Sequence, residues 1–118
     1  MIAGILISIV ALLHIGFMAL EMFFWTRPAG MKIFRMTPEK AKATAVLAAN
    51  QGLYNGFLAA GLICSLIHPN ADFARQTAIF FLSCVIAAGI YGACSVNKRI
   101  FFVQALPAVL ALASLFLT

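Results

Sequence analysis

Four long apolar runs divide the chain, at about 2–25, 44–67, 76–96 and 100–118, and a few polar positions interrupt each. About 20 apolar residues cross a bilayer as a helix. The pattern therefore predicts an all-α integral membrane protein: an antiparallel four-helix transmembrane bundle, with residues 1–118 as a single four-span domain. The first run is broken by Ser8, His14 and Glu21, and ends in Met22-Phe23-Phe24-Trp25, an aromatic close suited to the membrane interface. No basic residue precedes it and no small-residue cleavage pattern follows it, so a retained first span is expected rather than a secretory signal. Arg27-Pro28-Ala29-Gly30 should stop the helix, because the residue before a proline disfavours helix and glycine permits a turn.

The second run holds the densest polar group, Asn50-Gln51-Gly52-Leu53-Tyr54-Asn55, with four hydrogen-bonding side chains in six positions. In a helix, residues four apart share a face, which sets Asn50 beside Tyr54 and Gln51 beside Asn55. Ala48, Gly52, Gly56 and Ala60 form a separate stripe of small residues that lets another helix backbone come close. Gly89, Gly92 and Ala93 give the third run a similar face. Thr37-Pro38-Glu39 reads as a helix start: an N-cap hydroxyl, a proline at the first helical position and an acid in the first turn. His68-Pro69-Asn70-Ala71-Asp72 reads as a short turn. Pro107 should kink the fourth span modestly, with neighbouring helices satisfying the carbonyl it frees.

Composition agrees. The chain is 64% hydrophobic and 9% charged, against about 45–50% and about 25% in soluble domains. Net charge is +5. The basic residues flank the apolar runs and make no separate face, so they are read as topology signals and nucleic acid is not an expected partner. Arg27, Lys32, Arg35, Lys40 and Lys42 lie in the first loop, Arg75 alone in the second, and Lys98 and Arg99 in the third. This bias puts loops 26–43 and 97–99 in the cytoplasm and both termini outside it, in a bacterial inner membrane. Met31, Ile33, Phe34 and Met36 alternate with the first loop's bases, as in a segment lying on the membrane surface. Cys64, Cys84 and Cys94 form no CxxC and have no histidine at ligand spacing, so they are expected to be buried as small apolar groups. No metal or cofactor motif is legible.

With that orientation His14 falls near mid-membrane, and Glu21 lies on the same face, roughly 10 Å deeper. Asn50, Gln51, Tyr54, Asn55, Tyr91 and Gln104 fall in the middle or inner half. These eight residues are the candidate ligand site. Polar groups in hydrocarbon are costly, so Glu21 should face the bundle rather than lipid. Simpler roles stay open. Glu21 can reach the interface or bond a neighbouring helix, His14 can be a structural hydrogen-bonder, and the carboxamides and phenols can tie helices together.

The run Leu47-Ala48-Ala49-Asn50-Gln51-Gly52-Leu53-Tyr54-Asn55-Gly56-Phe57-Leu58-Ala59-Ala60-Gly61, with Glu21-Met22-Phe23-Phe24-Trp25-Thr26, Ala88-Gly89-Ile90-Tyr91-Gly92 and Val103-Gln104-Ala105-Leu106-Pro107-Ala108, resembles a family of small bacterial four-span membrane proteins. That family is catalogued as domain of unknown function 1304. The resemblance covers essentially the whole chain and implies four helices and an inner-membrane home, but no activity. The chain is similar in outline to two better-known groups. Small multidrug transporters share the length, four spans and a glutamate in span 1, although Glu21 stands near the end of its helix. Trimeric membrane glutathione-transferase-like enzymes share four helices and a basic first loop, but their Arg-rich second-helix start is here only Lys40 and Lys42. The leading functional expectation is binding or transport of a small amphipathic or protonatable molecule. The alternatives are an enzyme acting on a lipid-soluble substrate, and a scaffold or accessory subunit. Besides the lipid bilayer and such a ligand, a homo-oligomer through Gly52, Gly56 and Ala60 is an expected partner.

Overall fold

In a computed structural model, which describes residues 1–117, the chain is all-α. The helices are α1 (Ile2–Met22), α2 (Pro28–Ile33), α3 (Pro38–Ile67), α4 (Ala71–Ser95) and α5 (Leu106–Leu117), with a π-helical segment, Phe101–Ala105, leading into α5. Thr118, the expected end of the fourth span, lies outside the described residues.

Two of these helices, α1 and α4, are long and apolar enough to cross a membrane. Four had been expected. α3 is 30 residues long, but Lys40, Lys42, Asn50, Gln51 and Asn55 dilute its apolar character. The stretch Phe101–Leu117 is apolar but shorter.

Local signals explain most boundaries. Thr37 caps α3, its hydroxyl accepting the Lys40 amide at 3.2 Å. α4 starts at Ala71, ahead of the expected span, because the Asn70 side chain accepts the Phe73 amide at 3.0 Å and Asp72 stands in the first turn. α1 ends at Met22, three residues early. The loop expected after it contains α2, with extended Arg27 before Pro28 at its first turn. α2 closes with the Met36 amide on the Met31 carbonyl at 2.9 Å and the Arg35 amide on that of Lys32 at 3.4 Å. This is a Schellman ending, and it puts Arg35 at φ 53° in the left-handed region where glycine is usual.

The expected fourth span enters α5 through a π-helical segment rather than as regular α-helix. A proline ring clashes with the carbonyl four residues back, which for Pro107 is that of Val103. The backbone widens before the proline instead: the Leu106 amide reaches the Phe101 carbonyl, five residues back.

The chain folds as two compact units. One comprises Met1–Leu13 and the residues from Leu58 onward. Its core is apolar: Ile7, Val10 and Ala11 of α1, Leu62 of α3, Ala78, Leu82 and Val85 of α4, and Ala108 and Ala111 of α5 are all buried. Close approaches use the small residues. A side chain on Gly61 would meet the Phe81 ring, and a Cβ on Gly89 would stand 2.7 Å from both the Cβ and the backbone nitrogen of Ala105. Arg75 donates to the Leu115 carbonyl near the end of α5, and its guanidinium lies 4.9 Å over the Phe116 ring. A cation there opposes the negative end of the helix dipole. The expected burial of the cysteines is not met: Cys64 and Cys94 are exposed on the chain and Cys84 is partly so. In an apolar surround the outside of a helix suits a small apolar group as well as its core does.

The other unit is His14–Phe57. Here α1 and α3 meet over glycine. A Cβ on Gly52 would lie 2.6 Å from Met22 Cγ and 3.1 Å from both Glu21 Cβ and the Met18 carbonyl oxygen. One on Gly56 would lie 2.8 Å from Met18 Sδ. The small-residue stripe thus meets α1 at Gly52 and Gly56, and Ala48 is buried. Ala60 falls out of it, exposed, and Ala59 is buried in its place.

Candidate functional site

The site grows from Gly52. Because Gly52 lacks a side chain, α3 lies close against Met18, Glu21 and Met22 of α1. Three residues on, Asn55 is on the same side of α3, and its amide Nδ2 donates to Glu21 Oε1 at 2.5 Å. The carboxyl is half-buried. Asn55 holds one oxygen, and among the described residues no hydrogen bond is made to the other. Past the end of α1, Trp25 Nε1 donates to the Thr44 hydroxyl of α3 at 3.0 Å, which in turn donates to the Lys40 carbonyl at 2.7 Å. The Trp25 ring rests against Phe34, centroids 4.8 Å apart.

His14 lies two turns before Glu21 and is fully buried, its ring edge-on to Phe17 at 5.2 Å. The other predicted residues are dispersed. Asn50 is exposed and turns its amide back to the Val46 carbonyl at 3.1 Å. Gln51 is exposed. Tyr54 is 64% exposed, edge-on to Phe57. Tyr91, 76% exposed, and half-buried Gln104 belong to the other compact unit. Of the eight predicted residues, the structure joins Glu21 and Asn55 by a direct bond.

Chemically, a half-buried carboxyl held by an amide can bind a cation or carry a proton. Among the described residues, no three of His, Cys, Asp and Glu gather as a metal site. Sequence reasoning missed Met18 and Met22, the side chains that seat α1 against the glycines. Their spacing of four, straddling Glu21, was the available signal.

The family model described as protein of unknown function (DUF1304) matches residues 8–116. The chain belongs to this family. The resemblance read from the Asn50–Gly56 run is therefore borne out. The DUF1304 chain is also similar to "Uncharacterized protein YpaA" of Lactococcus lactis subsp. lactis (strain IL1403), at 33% identity over 114 residues, covering 95% of this chain and 94% of the relative. No solved structure matches it.

Proposed function

We propose that this DUF1304 protein binds or transports a small amphipathic or protonatable molecule at Glu21. The carrying observation is the Glu21–Asn55 hydrogen bond, a carboxyl held across two helices over a glycine contact with one oxygen left for a further donor. Asn55 orients the carboxyl. Glu21 is the charge partner or proton carrier, and His14, two turns away, is a candidate relay. The reading places the protein in the inner membrane as a four-span bundle with both termini outside the cytoplasm. The apolar runs and the five-to-one-to-two distribution of Lys and Arg over the loops support that placement.

The same hydrogen bond favours a second reading, in which Glu21 and Asn55 only tie α1 to α3 in a scaffold or accessory subunit. Native mass spectrometry of the purified full-length protein separates the two. A binding protein carries a stoichiometric non-lipid adduct that Glu21→Gln and Asn55→Leu both lose while remaining folded. A bare species, or an adduct indifferent to both changes, overturns the binding reading and leaves the scaffold.

A further inference from the structure

At the C-terminal end of α4 lies an open groove of about 660 Å³, within the roughly 300–1,000 Å³ range of ligand sites. It is lined by Ile90, Ala93 and Cys94 of α4, by Phe101 and Phe102 of the π-helical segment, and by Lys98 between them in sequence. Ile90 and Phe102 are 47% and 63% exposed, so the apolar wall is open to an occupant. Arg99 follows Lys98. Their turn is fixed, since the Arg99 amide donates to Asn97 Oδ1 at 2.9 Å and the Ile100 amide to the Asn97 carbonyl at 3.1 Å. Both cations therefore stand at the start of the last helical stretch, where the backbone dipole is positive.

We propose that this groove binds an anionic phospholipid. One acyl chain lies along Ile90, Ala93, Cys94, Phe101 and Phe102, and the phosphate of the headgroup sits on Lys98 and Arg99. Two features name the occupant. First, charge: among the described residues the groove's one charged lining residue is a lysine, Arg99 follows it in sequence, and no acid lines the groove. Second, depth: α4 is long and apolar enough to cross a bilayer and Lys98 follows its last residue by three, the level at which headgroups begin. Basic residues beside a membrane helix attract anionic lipid, and basic pockets between helices hold its headgroups. A zwitterionic lipid would fill the apolar wall and gain less from the cations. This inference rests on the membrane placement proposed above and not on the Glu21 site.

The test is native mass spectrometry of the full-length protein exchanged into phosphatidylglycerol or phosphatidylcholine with identical acyl chains. The wild type should retain phosphatidylglycerol about tenfold more strongly. Lys98→Gln with Arg99→Gln, on an exposed turn, should bring that retention down to the phosphatidylcholine level. Lys40→Gln with Lys42→Gln should leave the preference intact. Equal retention of the two lipids by the wild type, or a preference that survives the Lys98 and Arg99 changes, overturns the proposal. A second measurement reads the wall itself. In a Cys64→Ser, Cys84→Ser background, alkylation of Cys94 should be slowed more by phosphatidylglycerol than by phosphatidylcholine, and equal rates overturn the placement of the acyl chain.

Discussion

Two helix contacts use glycine in the same way and carry different groups. At Gly89 the π-helical segment presses Ala105 onto α4, and Ile100 lies over Gly92; the side chains nearest the two glycines are apolar. At Gly52 α1 presses Met18 and Met22 onto α3, and the contact carries a carboxyl bonded to an amide. The Gly89 contact shows that close approach in this chain needs no polar pair. The Glu21–Asn55 bond is thus an addition to a kind of contact the chain also builds with apolar neighbours. Desolvating a half-buried carboxyl has a cost, and the Asn55 amide offsets part of it.

Filling each glycine should separate the two contacts most. Gly89→Val should be the most damaging, about 3 kcal/mol, because the added group meets the backbone nitrogen of Ala105, which cannot move without the whole segment. Gly52→Val should cost about 2 kcal/mol, since its nearest neighbour is the flexible Met22 side chain, although the Met18 carbonyl is also close. It should also break the Glu21–Asn55 bond. Thermal unfolding in detergent gives the order, and the reverse order would mean that the Gly52 contact is the stiffer of the two.

Next comes the polar pair. A double-mutant cycle of Glu21→Gln and Asn55→Leu should give a coupling of about 0.6–1.7 kcal/mol, the range seen for hydrogen bonds between membrane helices. Tyr54→Phe, at an exposed position, should stay within about 0.5 kcal/mol of wild type. No coupling between Glu21 and Asn55 would reduce their contact to coincidence.

The same comparison shows what could be read in advance. Helix type, the α3 start at Thr37-Pro38-Glu39, the glycine stripe and the family were legible, because each rests on local chemistry or on a specific run. The choice of Asn55 over Asn50 was not. Both are asparagines on one helix, and their difference depends on where Met18 and Met22 of α1 press, which is a tertiary fact. Arg75 was legible only as a topology charge. Its contact with the Leu115 carbonyl spans 40 residues and left no local trace. Arg75→Gln should cost about 1 kcal/mol through the lost charge-assisted bond to a helix end, measured by the same unfolding midpoint, and Arg75→Lys should recover part of it. An unchanged midpoint would return Arg75 to a topology role alone.

The smallest effect lies in the Gly52 unit, where α2 ends on Arg35 at φ 53° rather than on glycine. A left-handed residue with a side chain costs about 1–2 kcal/mol, and glycine gives back part of that through its larger unfolded-state entropy. Arg35→Gly should therefore raise stability by about 0.5 kcal/mol, as a small rise in the unfolding midpoint. It also removes one of the five bases in the first loop. If arginine stands there for its charge, the variant gains stability while a reporter on that loop shifts toward mixed orientation. If stability falls instead, the Arg35 side chain makes a contact worth more than the strain of its backbone, and the comparison gains a third residue held against local preference.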